Sequence, residues 1–401
     1  MKILVLNAGS SSLKYKIFDL DHDLVLASGL VEKIGEEKAH LIYETKSKKT
    51  YEEEAPFKNH KEALEKIISI LLDKKLGVLN SVSELQGVGH RVVHGGESFK
   101  IPCKVNEEVL KGIEKMIPLA PLHNPPNLEG LKVSMSLFPK VPQVAVFDTS
   151  FHQTMPKHAF RYALPEDLYE KHGLRRYGFH GTSHHYVAKV AANYLNIPIE
   201  KLNAITFHLG NGGSMAAIKG GKSIDTSMGM TPLEGLVMGT RSGDIDPAIP
   251  FFLERELKMD LKSIDLLLNK KSGLKGICGK NDIRDISRLS KNGDEKATLA
   301  LNIYCYRIKK YLGAYLALLP KLDALVFTAG IGENSTLVRE MILKDLNHLG
   351  INLDQEKNKN VKRGTIQAIQ AEGKDQTVIK ILVVPTDEEK EIASQTKGIL
   401  N

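Results

Sequence analysis

The chain has 401 residues, 42% hydrophobic and 26% charged, a balance that supports a large apolar core and excludes intrinsic disorder. At roughly 150 residues per domain, that length predicts two or three domains. No apolar run reaches the roughly 18 residues of a membrane span, and the net charge of +7 is scattered, so neither a membrane protein nor a nucleic-acid binder is expected.

MKILVLNAGSS begins with a short apolar run that leads into Gly and Ser, which reads as a strand and not as an export signal. Cys103, Cys278 and Cys305 lie far apart without zinc or redox spacing, so reduced thiols in a cytoplasm are expected. ILVLN (3–7), the turn AGSSS and LKYKIFDL (13–20) predict a β-hairpin. KSKKTYEEE (46–54) reads as a solvated charged face, and HKEALEKIISILLD predicts a helix near 60–73. LQGVGHRVVHGG (85–96) and VPQVAVFDTSF (141–151) predict strands, the second with Asp148 at its carboxyl end. A second hairpin, LNAITFHLGNGGSMAAIKGGKSI (202–224), repeats the first in outline, with Asn7 and Asn211 about half a chain apart. This repeat predicts two related lobes, each presenting a Gly-rich turn to a cleft. Then come a Met/Gly-rich loop (228–247), an amphipathic helix near 296–319, the strand ALVFTAG (324–330) and a helix from 335 to about 349. A last strand and helix occupy 381–396, and the alternation throughout predicts an α/β fold.

Several motifs carry chemistry. NAGSSSLK (7–14) offers close backbone approach, hydroxyl donors and the charge of Lys14 to a phosphate, although an ordinary polar hairpin would look similar. The Gly-rich turn HLGNGGS (208–214) strengthens the phosphate reading. Arg91 lies in an apolar strand and Arg241 in a Gly-flanked loop. Each is either braced by a nearby carboxylate, Asp244 or Asp246 in the second case, or free to bind a planar anion. Asp148 is either a turn residue or a site residue at a strand end. FHGTSHH (179–185) lacks a zinc pattern, and His180 fits better as a donor to developing charge. AGIGENS (329–335) turns a strand into a helix, where amides can face a nucleotide.

NAGSSSLK, HRVVHGG, FDTSFH, YGFHGTSH, HLGNG, DTSMGMTPLEGLVMGTRSGDIDP, FTAGIGEN and PTDEE follow one another from residue 7 to 389. Together they resemble the acetate kinase family over essentially the whole chain. The resemblance implies an α/β fold of two duplicated ribonuclease-H-like lobes, as in actin-like ATPases, with a nucleotide cleft between them. Residues 1–150, completed by 386–401, would form the N-terminal lobe, and 151–385 the nucleotide-binding lobe. It implies reversible Mg²⁺-dependent phosphoryl transfer from ATP to acetate, giving ADP and acetyl phosphate, with Mn²⁺ as an alternative metal, in a cytoplasmic homodimer. Propionate or another short-chain acid is the rival substrate, and a non-catalytic nucleotide switch is the rival from another class.

By the same resemblance, Asn7 and Glu388 serve the metal and Lys14 contacts nucleotide phosphate. Arg91 and Arg241 hold acetate and the moving phosphoryl group, which His180 stabilises. His208, Leu209, Gly210, Asn211 and Gly212 form part of the nucleotide site. So do Asp282, Ile283 and Arg284, together with Gly330, Ile331, Gly332, Glu333 and Asn334. Val93, Leu122, Phe179 and Pro232 match the pocket for the substrate methyl. Asp148 matches the family's acid/base, yet acetate, with a carboxyl pKa of about 4, is already ionised near pH 7. Asp148 is therefore expected to act through the metal, its water shell or an arginine. Asp387 stands where the family more often has Asn, adding a charge beside Glu388.

Overall fold

β1 (Lys2–Ala8) and β2 (Ser12–Asp19) form the expected hairpin, closed by a turn too short for anything but antiparallel pairing. These strands belong to a computed structural model that describes residues 1–47, 49–372 and 379–401. Lys48, in the charged stretch 46–54, lies outside the described residues. The chain divides into two units, Met1–Gln153 with Asp387–Asn401, and Thr154–Thr386.

In the first unit, β3 (Leu24–Glu32), β4 (Ala39–Thr45) and β5 (Thr50–Ala55) extend the antiparallel side of the sheet. β6 (Leu85–Val92), β7 (Cys103–Lys104) and β8 (Gln143–Phe147) complete the order β5-β4-β3-β2-β1-β6-β8-β7. β1, β6 and β8 run parallel, which requires crossovers, and the helices His60–Leu71 and Asn124–Leu137 lie on those connections. Strand alternation sends Leu4 and Leu6 toward Ile67 on one face, and Ile3 and Val5 toward Ile392 and Ala393 on the other. The second contact anchors the carboxyl-terminal helix Glu388–Leu400, bringing Glu388 and Glu389 to a sheet made from the first part of the chain.

The second unit holds β9 (Asn203–Leu209), β10 (Gly213–Lys219), β11 (Lys222–Thr226), β12 (Ala324–Thr328), β13 (Gln367–Ala368) and β14 (Lys380–Val383). Their order is β11-β10-β9-β12-β14-β13. Phe207 and Phe327 stack at 4.4 Å on the parallel pair β9/β12, in a core shared with Tyr304, Ile308 and Leu312 of the helix Glu295–Leu318. Both units share a run of three antiparallel strands followed by two parallel ones, β3-β2-β1-β6-β8 and β11-β10-β9-β12-β14, the duplicated ribonuclease-H-like order. β1 and β9 are buried at corresponding positions along their length. Hairpin pairing closes at Ala8–Leu13 in one and Leu209–Gly213 in the other. This register matches Asn7 with His208, so Asn211 falls in the turn and is not its counterpart.

Some elements end earlier than their sequence suggests. β6 stops at Val92 because the side chains of Asn127 and Asn124 take the amides of Val93 and His94. The helix after Ser335 spans only Thr336–Leu343, before Asp345 turns with φ 62°. Among the described residues, no helix is long and apolar enough to cross a membrane.

Candidate active site

In the first unit, β6 and β8 bring Arg91 and Asp148 together, since Val92 pairs with Phe147 and the Asp148 amide donates to the Val92 carbonyl. Arg91 Nε and Nη2 donate to one Asp148 oxygen at 3.0 and 2.6 Å, and Nη1 donates to Asn7 Oδ1 at 3.5 Å. Asp148 is buried, so it braces the guanidinium. Burial works against the charge of Arg91, but Asp148, Glu388 and Glu389 outweigh it.

The helix Glu388–Leu400 starts beside this pair. Asp387 accepts the Lys390 amide at 3.0 Å as the cap, and Lys16 Nζ at 3.0 Å. The extra charge expected beside Glu388 is therefore committed to the cap and Lys16. Glu389 accepts Lys14 Nζ at 2.5 Å and Lys16 Nζ at 3.2 Å. Burial pushes its carboxyl up, yet the two lysines prevail and hold it down at about 2. Glu388 fares oppositely: burial, joined by Asp148 and Glu389 and opposed by Arg91, pushes it up to about 7. It has no hydrogen bond or ion pair among the described residues.

The Glu388 carboxylate and the Asn7 amide oxygen are hard donors that fit a small divalent cation retaining most of its own water. Among the described residues no three His, Cys, Asp or Glu side chains form a cage for a metal ion. Nearby, the Val93 amide donates to Asn127 Oδ1 at 3.0 Å, and Asn127 Nδ2 donates to the Ala8 carbonyl at 2.7 Å. One amide side chain thereby ties the ends of β1 and β6 together and places the buried Val93. Leu122 is 60% exposed in the turn before the helix Asn124–Leu137.

The second unit arranges its groups differently. Arg241 is half-buried; its Nη1 donates to the Pro232 carbonyl at 3.2 Å and reaches the Met238 sulfur at 3.5 Å. No carboxylate pairs with it among the described residues, and burial alone disfavours its charge. The local Arg–Asp brace does not form. Asp244 instead faces Arg307 at 3.4 Å and the Tyr311 hydroxyl at 2.8 Å, and Asp246 accepts the Ala248 amide at 2.8 Å.

His180 starts the helix Gly181–Tyr194 with φ 55°, a left-handed conformation uncommon for a residue with a Cβ. Its Nδ1 lies 2.9 Å from Ser214 Oγ, which also meets His184 Nε2 at 2.8 Å. Its ring stacks on His208 at 4.1 Å, and His208 Nδ1 lies 2.8 Å from Ser183 Oγ. A Cβ built on Gly212 would lie 3.5 Å from Arg241 Nη1 and 3.6 Å from His180 Cε1, so both groups flank the 210–212 turn. Gly239 donates its amide to the Asn211 carbonyl at 3.0 Å, locking that turn to the loop of Arg241.

The helix Ala329–Asn334 follows β12 through Ala329 at φ 64°, with the Ala329 Cβ 3.9 Å from a Cβ built on Gly210. Gly330, Ile331, Gly332, Glu333 and Asn334 therefore lie next to the 210–212 turn. Burial raises the carboxyl of Glu333, which accepts the Thr386 amide at 3.1 Å. Asp282 and Arg284 pair with each other at the start of the helix Ile283–Lys291, and their hydrogen bonds stay within that cap. Phe179 is buried and Pro232 half-buried. Sequence reasoning missed Lys16 and Asn127, and gave no role of their own to Glu389 and Ser214, although both lie in motifs it singled out, PTDEE and HLGNGGS.

The comparisons agree with one another. A sequence profile described as the acetokinase family matches residues 2–394. An acetate kinase from Halothermothrix orenii is 54% identical over 402 residues, covering 100% of both chains. The crystal structure of Porphyromonas gingivalis acetate kinase superposes with a TM-score of 0.93 at 48% identity, again over 100% of both chains. A propionate kinase structure from Francisella tularensis reaches 0.92 at 42% identity, over 99% of each. This chain belongs to the acetokinase family.

Proposed function

We propose that the chain catalyses the reversible transfer of the γ-phosphoryl group of ATP directly to acetate, giving acetyl phosphate and ADP. The observation that carries this reading is Arg241, a half-buried guanidinium with no carboxylate partner among the described residues, beside the fixed ring of His180. Such a cation suits an anion that arrives and leaves, such as a carboxylate or a phosphoryl group. Phosphoryl transfer needs positioned charge more than covalent chemistry from the protein. Family membership and the acetate kinase relatives support the same reading.

In this account, Arg91 and Arg241 hold acetate and the phosphoryl group, and His180 donates to the oxygens that gain charge. Lys14 contacts nucleotide phosphate. His208, Leu209, Gly210, Asn211 and Gly212, with 282–284 and 330–334, receive the rest of the nucleotide. Val93, Leu122, Phe179 and Pro232 bound the acetate methyl. Asp148, already committed to two Arg91 hydrogen bonds, orients that arginine, adds negative charge beside Glu388 that favours the cation, and is not needed as a base, because acetate is ionised at neutral pH. A divalent cation, which we assign as Mg²⁺ with Mn²⁺ as a substitute, would be held by Asn7 and Glu388 and would neutralise charge on the phosphates. The reading extends to a homodimer working in the cytoplasm, with residues 151–385 as the nucleotide-binding lobe.

The test is hydroxylamine trapping of acyl phosphate formed from Mg-ATP with acetate, propionate and butyrate in parallel. Highest turnover on acetate is expected. Highest turnover on a longer acid would move the substrate assignment, and no acyl phosphate from any acid would refute the transferase reading.

A further inference from the structure

The loop from Ser227 to Asp244 carries Pro232 and Arg241, yet regular secondary structure is absent from it. Met230, Thr231, Leu233, Glu234, Gly243 and Asp244 of this loop line a cavity of about 620 Å³, so these residues lack apolar packing on that side. A polar clamp adds to the core packing of the buried Leu236 and Val237. Arg176 Nη1 donates to the carbonyls of Thr226, Ser227 and Met228 at 2.7, 3.2 and 3.4 Å, and Nη2 donates to Glu234 Oε1 at 2.5 Å. The other Glu234 oxygen takes the Tyr162 hydroxyl, whose oxygen accepts the Met230 amide at 2.9 Å.

Gly229 sits inside this clamp, where a Cβ would come within 1.7 Å of Glu234 Oε2. Its carbonyl accepts the amides of Tyr177 and Gly178 at 3.0 and 3.2 Å, directly before Phe179 and His180. Two residues before Glu234, the Pro232 carbonyl accepts Arg241 Nη1. One carboxylate therefore lies at the junction of two short paths, one leading to Pro232 and Arg241, the other to Phe179 and His180.

We propose that Glu234 is a positioning residue of the active site, acting with Arg176 and Tyr162 to set the acid pocket and the two groups that stabilise the phosphoryl group in this unit. The proposal rests on the transferase reading above. Glu234 touches no reacting atom in this account. It governs how far Pro232 and Phe179 stand from the methyl of the acid, and it aims Arg241 through the Pro232 carbonyl. Loosening the clamp should therefore raise the KM for the acid, lower kcat and relax the choice of acid, while leaving the KM for ATP in place.

The experiment compares the full-length wild type with Glu234→Gln and the milder Tyr162→Phe, measuring kcat, the KM for acetate and for ATP, and the acetate-to-propionate kcat/KM ratio. Activities are normalised to the folded fraction. Acyl-phosphate formation by the wild type establishes the transferase reading independently of the variants. The expected result is a loss of about tenfold in acetate kcat/KM for Glu234→Gln, corresponding to about 1.4 kcal/mol, with a smaller loss for Tyr162→Phe. In both, the acid ratio should fall toward propionate and the KM for ATP stay within about twofold. The proposal is overturned if the folded fraction of both variants keeps the wild-type acid ratio and acetate KM. It is equally overturned if acetate and ATP parameters fall together.

Discussion

Arg91 ends its strand with two hydrogen bonds to a buried aspartate, whereas Arg241 sits in a loop with a proline carbonyl and a methionine sulfur for company. The first is one member of a set of charges, with Asp148, Glu388, Glu389, Lys14 and Lys16, in which almost every charge is answered. The second stands among hydrogen-bonding groups other than carboxylates, the histidines and hydroxyls around Ser214. Both regions grow from the same strand order, so topology does not dictate this difference. What distinguishes them is the carboxylates: the carboxyl-terminal helix supplies Glu388 and Glu389 to one, and Asp244 and Asp246 turn away from the other. A compensated arginine is a rigid fixture. An uncompensated one has its binding capacity open to a ligand.

The comparison can be broken most forcefully at Arg241. Arg241→Ala should lower kcat/KM for acetate by about 10³-fold, roughly 4 kcal/mol of transition-state stabilisation. Thermal stability should hardly change, because no carboxylate is orphaned. A large loss of stability would show that Arg241 is structural after all.

A second effect belongs to the charge-rich unit. His90, next to Arg91 but facing away toward Gln143 at 2.8 Å, is held down to about 4 by burial, against the help of that hydrogen bond; burial also takes His94 to about 4. Because these folded values lie below the ordinary value near 6.5, the unfolded chain binds more protons between pH 6.5 and 4, and stability falls as pH falls through that window. Each histidine should cost on the order of 3 kcal/mol by pH 4. Denaturant midpoints followed from pH 7 to 4.5 should show a shallower loss in His90→Gln than in wild type. Parallel curves would refute this source of acid sensitivity.

The smallest effect concerns selectivity. Val93→Ala should shift the acetate-to-propionate ratio toward propionate by about tenfold, the low end of the value of one methylene in an apolar pocket. An unaltered ratio would remove Val93 from the pocket.

How far the sequence revealed these features depended on the range of each interaction. The two hairpins were legible because Gly-rich turns between apolar strands are local signals, although the matching of Asn7 with Asn211 was three residues off; only strand pairing reveals that Asn7 matches His208. Strands 24–32, 39–45 and 50–55 escaped notice because AHLIYET and TYEEEA mix charge with β-formers and owe their state to their neighbours. The site motifs could be read, but their partners could not. Nothing near Arg91 in sequence announces Asp148, 57 residues on, and Arg176 and Glu234 are 58 apart. The doubtful Asp–Arg brace at Arg241 illustrates the converse, since adjacency in sequence suggested a pair that the backbone directs elsewhere.

The central claim is a division of labour, in which Glu388, with the charge of Asp148 beside it, serves the metal, while Arg241 serves the anion together with Arg91. Its most direct test is the Mg²⁺ dependence of acyl-phosphate formation in wild type, Asp148→Asn and Arg241→Ala, measured side by side. The account predicts that Asp148→Asn raises the Mg²⁺ requirement sharply, while Arg241→Ala lowers turnover at an unchanged requirement. Lost turnover in Asp148→Asn with wild-type metal dependence, or an equal shift in both variants, would contradict it.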